Sequence, residues 1–439
     1  MKIIVVGAGV VGQSLAGQSL AGQLSHEGHQ IVVIDSNRQK IRRLKEKMDV
    51  LAICGDGAST KILSRAGINA AEMVIAVTNV DEINLVIGML ASRSGAKHRI
   101  VRIRNPEYAE PNSVLDLQQL GIGRIINASP AIVHALRWMI QIPGSGDFAN
   151  LAEGQVIMLG FPIIQDSPIA GKTIAQIRQM GEVESFMILY LTREGKTIIP
   201  RGDIVIEPGD EVHFLISTDE VQFLLPMVYR NPRRVRRVII SGGSRVGVQL
   251  AESIAREVER VFLIEPDRDR AEEVAAQLEN TIVLHGDSTR LDILEEANLR
   301  ECDMFCAVSD NDKHNMLSVL LAKNHSSATT AVLVHESEYV PVMNSLGVRI
   351  VLSPRLITVG EILMHIRRGY IHSITKLAEN RGEILEMGVS EKSYVVNKAL
   401  KDLQLPRESI VGTIIRDGVM KIPQGDTSFQ AGDAGRCVL

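Results

Sequence analysis

The sequence predicts an α/β protein: two tandem Rossmann-like domains with doubly wound parallel sheets, each followed by a small α/β lobe. Three observations lead there. An apolar run opening onto a glycine-rich turn occurs twice, as Lys2-Ile3-Ile4-Val5-Val6 before Gly7-Ala8-Gly9-Val10-Val11-Gly12, and as Arg237-Val238-Ile239-Ile240-Ser241 before Gly242-Gly243-Ser244-Arg245-Val246-Gly247. Each is followed by a second apolar run that ends on an acid, Asp35 or Glu265. Short apolar runs then alternate with helical stretches, the pattern of βαβ units whose sheets are covered on both faces. The 439 residues, 45% of them hydrophobic, are too many for one ordinary domain. The expected divisions are 1–140 and 236–368 for the Rossmann-like domains, with 150–229 and 372–439 for the small lobes.

Along the first half, the loop opens a helix in which Gly12-Gln13-Ser14-Leu15-Ala16 is repeated at once as Gly17-Gln18-Ser19-Leu20-Ala21. Five extra helical residues rotate the chain roughly 140° past a full turn, so a bulge or an elongated, irregular helix is expected near Gly17–Gly22, with the glycine loop intact; removing one copy places Leu24 opposite Ile254. Ala52-Ile53-Cys54-Gly55-Asp56-Gly57 answers to Val283-Leu284-His285-Gly286-Asp287-Ser288, and the strand leading into Thr78-Asn79 answers to the one leading into Ser309-Asp310. Helices are expected over Ser59–Ala66, Asp81–Ser94 and Ala131–Ile140.

Beyond Pro143-Gly144-Ser145-Gly146 the pattern changes. Val156–Gly160, Phe186–Thr192, Ile204–Ile206 and Glu211–Ile216 read as strands separated by turns such as Glu207-Pro208-Gly209-Asp210, where glycine supplies a positive φ and aspartate binds its own backbone. The second half repeats this turn as Gln430-Ala431-Gly432-Asp433. After Asp433 only six residues follow, so the second lobe is expected to be shortened, lacking its last strand and helix.

Composition excludes several classes of function. A formal net charge of −4 gives no basic face for nucleic acid. No apolar stretch of about 18 residues and no cleavable leader is visible, which predicts a soluble, unsecreted chain. Cys54, Cys302, Cys306 and Cys437 show no framework spacing and read as reduced thiols. Cys306 aligns with Ile75 of a core strand, so Cys302 and Cys306 are not read as metal ligands. No nucleophile elbow, Walker loop or paired carboxylates appear, so no catalytic or metal residue is assigned. The arginines at 230, 233, 234, 236 and 237 read as a solvated linker, with docking to an acidic partner or a lipid surface as the alternative.

The glycine loops carry the chemistry. Gly7 allows a tight turn, Gly9 lets the backbone approach a pyrophosphate, and the amides of Ala8, Val10 and Val11 at the helix start are anion donors. Asp35 would accept from ribose hydroxyls and repel a 2′-phosphate, which favours NAD(H) or an adenine nucleotide over NADP(H). In the second loop Gly242, Gly243, Arg245, Val246 and Glu265 repeat the arrangement, but Ser244 takes the middle-glycine position, where a side chain would crowd phosphates. Thr78 and Asn79, with Ser309 and Asp310, lie where doubly wound sheets place ligand contacts, or else cap the next helix. Asp56 and Asp287 cap a helix or reach an adenine edge. Arg102 and Arg104 share a strand face and could meet phosphates; the second half has Leu333 and His335 instead.

Taken with Gly55-Asp56, Ala76-Val77-Thr78-Asn79-Val80-Asp81-Glu82 and Val101-Arg102-Ile103-Arg104, the doubled plan resembles the TrkA family of cytosolic regulatory subunits of Trk potassium-uptake systems, built from tandem RCK (KTN) domains. The resemblance covers essentially the whole chain. It implies a cytoplasmic protein, peripheral on the inner membrane, assembled as a homo-oligomeric ring beneath a potassium-transporting subunit of the TrkH or TrkG kind, and binding NAD(H) and ATP or ADP. The family's nucleotide contacts carry over to Gly7–Val11, Asp35, Thr78, Asn79 and an arginine at 102 or 104, and to Gly242–Val246, Glu265, Ser309 and Asp310. The duplicated pentapeptide, Ser244 and the short C-terminus depart from the family pattern. An NAD-dependent dehydrogenase is the alternative, although the small lobes offer no concentrated acid-base set.

Overall fold

The computed structural model describes residues 1–11, 20–26, 28–48, 50–108, 115–180, 186–200, 202–230, 234–366, 371–376, 383–405 and 409–438. The first half runs β1 (Lys2–Val6), α1 (Ala8–Val11), α2 (Leu20–His26), β2 (Gln30–Asp35), α3 (Arg38–Lys47), β3 (Leu51–Cys54), α4 (Thr60–Ala66), β4 (Met73–Ala76), α5 (Asp81–Arg93), β5 (His98–Arg102), β6 (Arg124–Ile126) and α6 (Ala128–Gln141). Its six strands form one parallel sheet in the order β3-β2-β1-β4-β5-β6. Ile3, Ile4 and Val5 are wholly buried, as consecutive apolar residues must be when helices cover both faces. The strand order reverses between β1 and β4, and that crevice is where such sheets bind ligands.

A different architecture follows. Strands β7 (Phe148–Leu151), β8 (Val156–Pro162), β9 (Phe186–Arg193), β10 (Lys196–Ile198) and β11 (Glu211–Ser217) make an antiparallel sheet, with helices α7 (Ile174–Gln179) and α8 (Val221–Val228). Ile204–Ile206 is not one of its strands. Its backbone instead bonds the segment leading into α7, with Gly171 N–H donating to Ile206 O and Ile206 N–H to Lys172 O, so these β-branched residues serve a single isolated bridge. The short hairpin strand β10 has no counterpart in the apolar pattern of the sequence.

The second half repeats the plan. It contains β12 (Arg237–Ser241), α9 (Arg245–Ile254), β13 (Arg260–Glu265), α10 (Arg268–Gln277), β14 (Ile282–His285), α11 (Leu291–Glu296), β15 (Met304–Ala307), α12 (Asp312–His325), β16 (Thr329–Leu333), α13 (Tyr339–Ser345), β17 (Ile350–Leu352) and α14 (Pro354–Ile366). The sheet order, β14-β13-β12-β15-β16-β17, matches the first. A second antiparallel sheet contains β18 (Ile371–Lys376), β19 (Glu383–Gly388), β20 (Ile410–Arg416), β21 (Val419–Lys421) and β22 (Ala434–Val438). The expectation that this lobe lacks its last strand is wrong. β22 pairs with both β19 and β20, in the place β11 holds between β8 and β9. Five residues suffice because a ladder needs only backbone groups, and Ala434-Gly435-Arg436 gives no alternation by which to recognise a strand.

Of the segment Gly17–Gly22 where a bulge or irregular helix is expected, residues 17–19 lie outside the described residues, and 20–22 open α2. The consequence for register is visible: Leu20, Ala21 and Leu24 are completely buried, as are Leu250, Ala251 and Ile254. By packing, the chain forms two compact units: Met1–Ile132 with Leu333–Leu346 and Leu352–Leu363, and Val133–Val332 with Gly347–Val351 and Met364–Leu439. The first unit thus combines the first parallel sheet with α13 and most of α14. In the second, the two small sheets share an apolar layer in which Met158, Met187, Leu189 and Leu215 meet Ile384 and Ile415.

Each small sheet is locked at its Gly-Asp turn by a buried aspartate and a forked arginine. Arg193 donates through Nε and Nη2 to Asp210 at 2.7 and 2.8 Å, and Arg416 to Asp433 at 2.8 Å twice. The same carboxylates accept the turn amides of Glu207 and Gln430. Burial raises the Asp433 pKa, but the Arg416 and backbone hydrogen bonds outweigh it and hold the carboxyl below its usual range. A depressed native pKa means stability that is complete above the ordinary aspartate value near 3.9 and is lost as pH falls through the lower native value. Acid titrations followed by circular dichroism should therefore show the wild-type protein losing stability below about pH 4, with Asp433→Asn removing part of that dependence. Arg193→Ala, which strands a buried carboxylate, should cost about 3 kcal/mol in chemical denaturation.

Candidate functional site

In the first unit the predicted residues gather on one edge of the sheet. Gly7 follows β1, Asp35 ends β2, Asp56 lies two residues beyond β3, Thr78 two beyond β4, and Arg102 ends β5. All face the carboxyl edge, because parallel strands place every strand end together. Gly7 has φ +113°, and a Cβ there would stand 2.7 Å from Val77 O, so only glycine lets the loop pass this close to β4. Above Gly9 there is room: a Cβ at that position would have Lys40 Nζ as its nearest neighbour, at 3.8 Å.

Asp35 is already at work in the loop. Its Oδ2 accepts from Ala8 N–H at 2.7 Å, and its Oδ1 accepts from Asn37 N–H at 2.7 Å. Asn37 in turn caps α3. Thr78 is fixed by Asn84, which is fully buried; Asn84 Oδ1 accepts from Thr78 N–H at 2.8 Å and from Thr78 Oγ1 at 2.7 Å, and its amide donates to Thr78 O and Arg102 O. One side chain therefore ties the end of β4 to the end of β5. The capping reading of Thr78 and Asn79 fails, since the residue at the N-cap of α5 is Val80, and Asn79 is exposed. Asp56 is also exposed and closes a local turn by accepting from Ala58 N–H, while the N-cap position of α4 is Ser59.

The basic residues sit at the same edge. Arg104, just beyond β5, donates to Asn79 O, and Asp81 accepts the amides of Arg104 and Asn105 at 2.8 Å each. Burial, reinforced by Arg104 and Arg355 and opposed by Asp81, lowers the Arg102 pKa to about 10. Arg355, near the start of α14, makes a forked pair with Glu336 at 2.8 and 3.2 Å. Sequence reasoning misses Arg355 because it lies more than 250 residues away in the chain, roughly the span of a whole repeat.

In the second unit the arrangement is reproduced. Gly242 has φ +110° and lies against Ser309; Glu265 Oε2 accepts from Gly243 N–H at 2.6 Å, and its Oε1 from Asp267 N–H at 3.0 Å. Asn315 holds Ser309 as Asn84 holds Thr78. Ser244 is spent on the fold: it is the N-cap of α9, with Oγ accepting from Gly247 N–H and donating to Val308 O. Arg245, the next residue, and Asp310 are exposed, and Val246 is buried. The residue at the N-cap of α12 is Asn311, not Ser309 or Asp310, and Asp287 closes a turn with Thr289 rather than capping α11. Arg270, five residues after Glu265 as Lys40 is after Asp35, donates to Gly243 O at 2.9 Å. Sequence reasoning misses this pair of cations as well; its signal is the shared spacing from the acid.

Both thiols near β15 are core groups. Burial raises the Cys302 pKa to about 12 and drives Cys306 higher still, so neither offers a thiolate. No helix among the described residues is long and apolar enough to cross a membrane.

Fold and site define a class: tandem Rossmann-type sheets with glycine loops at their carboxyl edges, joined to small lobes. The TrkA-N domain family model matches residues 3–128 and 238–354, and the TrkA-C domain model matches 158–225 and 384–434. A Trk system potassium uptake protein TrkA from Halomonas elongata is 30% identical over 99% of this chain and 94% of its own, and a TrkA homolog from Archaeoglobus fulgidus is 34% identical over 99% and 96%. Among solved structures, the GsuK channel covers the whole chain with 76% of its own, at TM-score 0.64 and 16% identity, and the GsuK RCK domain does so with 92% of its own at TM-score 0.63 and 18%. The chain belongs to the TrkA family of potassium-uptake proteins, and its full-length relatives carry a potassium-uptake name rather than that of a dehydrogenase.

The Asn84 bridge makes a sharp prediction. Asn84→Ala leaves Thr78 N–H and Arg102 O without their partner at a part-buried position, and should cost about 2–3 kcal/mol in urea denaturation. Asn84→Asp should recover little, because it cannot donate to the two carbonyls.

Proposed function

We propose that this protein is a nucleotide-sensing regulatory subunit of a potassium-uptake system, binding NAD(H) at the first glycine loop and an adenine nucleotide, ATP or ADP, at one or both loops. The observation that carries this reading is the loop itself: amides at the start of a helix, a carboxylate beside them, and room above Gly9. The diphosphate would lie against the amides from Gly7 to Val11. Asp35 uses two of about four acceptor positions on its oxygens, leaving capacity for ribose hydroxyls. Thr78 and Asn79 would flank the ligand, and Arg102 or Arg104 would meet a phosphate. In support, a GsuK channel has been solved bound to NAD, on a fold that this chain shares.

Around Gly242–Val246 the ligand meets different chemistry. Glu265, Ser309 and Asp310 repeat the polar positions, but the basic pair does not recur, so this site should favour a less highly charged ligand. Nucleotide binding would then bias a homo-oligomeric ring, peripheral on the cytoplasmic face of the membrane, between states that a transport subunit of the TrkH or TrkG kind reads. No bond is broken; differential affinity for the two states does the work.

Calorimetric titration of the full chain with NADH, NAD, ATP and ADP tests the reading. Asp35→Ala should weaken NADH binding about 10- to 100-fold, the loss expected of hydrogen bonds to a charged group, while thermal unfolding shows the chain still folded. Unchanged NADH affinity in a folded variant would remove the assignment. Glu265→Ala reads the second loop in the same way.

A further inference from the structure

We infer that the first small lobe carries a divalent-cation site of the borderline class, best suited to Zn2+, formed by Asp147, Glu211 and His213. One ligand atom from each lies within 4.8 Å of the others. The sheet builds this cluster by register. Glu211 and His213 are two apart on β11 and so share a face, and His213 stands directly across from Gly160 of β8. Asp147 is brought alongside because Gly160 N–H donates to its carbonyl at 3.0 Å.

His213 is poorly explained as an ordinary core residue. It is 1% exposed, and its ring stacks on Tyr190 with centroids 4.0 Å apart. Nε2 lies 2.8 Å from Asp147 Oδ2, while buried Nδ1 has no hydrogen-bond partner. Gly160 leaves space for it: a Cβ there would stand 2.7 Å from Nε2. The imidazole is thus rigidly held, with Nε2 directed at the Asp147 carboxylate and Nδ1 left unpartnered on the other edge of the ring, and Asp147 and Glu211 remain partly exposed. Arg349 flanks Glu211, but one guanidinium against the carboxylates of Asp147 and Glu211 still leaves the cluster net negative while the imidazole is neutral.

The duplicated lobe is an internal control. In β22 the positions of Glu211 and His213 are taken by Ala434 and Arg436, and Glu386 replaces Gly160 across from the latter. The sheet forms without the cluster, so the lobe fold does not require it. One nitrogen and two carboxylate oxygens, with water completing the shell at distances of about 2.0–2.2 Å, suit Zn2+ better than the oxygen-seeking Mg2+ or Ca2+.

The single tryptophan provides the readout, since Trp138 stacks on Phe148, the neighbour of Asp147, with centroids 6.1 Å apart. Chelator-treated full-length protein should bind one equivalent of Zn2+ per chain by calorimetry, with a change in Trp138 fluorescence. Mg2+ and Ca2+ should bind far more weakly. Glu211→Gln and Asp147→Asn, at partly exposed positions, should each weaken Zn2+ by at least about tenfold, the lower end of what even an outer-shell loss costs, with circular dichroism unchanged. The inference falls if Zn2+ does not bind, if both folded variants bind it as tightly as wild type, or if Mg2+ or Ca2+ binds equally well.

Discussion

A carboxylate at the end of the second strand holds each glycine-loop edge in shape. Asp35 accepts one amide from the glycine loop and another from Asn37, the residue that caps the following helix. Glu265 does the same for Gly243 and Asp267, and Asp267 caps α10. Amides at a helix start have no partner within their own helix, and a charged acceptor beside them is worth roughly twice a neutral one. Loop, strand end and next helix are therefore fixed by a single side chain. Aspartate reaches Ala8 from its position, and the longer glutamate is accommodated in the second copy with the same two bonds.

From this shared frame the copies diverge in electrostatics. The first edge gathers Lys40, Arg102 and Arg104; the second has Arg270 bound back onto Gly243 O, and its polar floor is Asp287, Ser288 and His314, with Asp287 and Ser288 at 3.1 and 3.3 Å from the imidazole. Buried Asn84 and Asn315 are common to both, because the β4 and β15 ends need the same amide and carbonyl satisfied wherever the sheet switches direction. The acid, the buried asparagine and the cation five residues past the acid recur in both copies; the Arg102 and Arg104 pair does not.

Much of this is legible from the residues alone. The doubled apolar-glycine-acid pattern marks the doubly wound parallel sheets and their ligand edge, since periodicity and loop chemistry are local properties. Leu24 and Ile254 can be matched across an insertion because both belong to the same buried helix face. What escapes is non-local or carried by backbone. β22 bonds through main-chain groups that Ala434 and Gly435 do not advertise, and Ile204–Ile206 has strand propensity but no neighbouring strand to pair with. The roles of Asn84 and Arg355 depend on which strand ends and helices meet in space. Ser244 invites a reading against a phosphate, when its nearer duty is a helix cap.

Arg102 gives the proposed switch its energetic basis. An arginine does not release its proton at neutral pH, so a pKa brought down to about 10 by burial and by neighbouring guanidinium groups represents an unfavourable charge carried by the native fold, on the order of a few kcal/mol at most. A phosphate beside it would offset that cost only in the arrangement that keeps Arg102, Arg104 and Arg355 together. On the proposed reading, a nucleotide's affinity would then depend on the position of α14 as well as on the glycine loop. Because linkage is reciprocal, any partner that displaces α14 must alter nucleotide affinity by the same factor that nucleotide alters the partner's, and typical coupling energies of about 1–3 kcal/mol lie within what this charge cluster can supply.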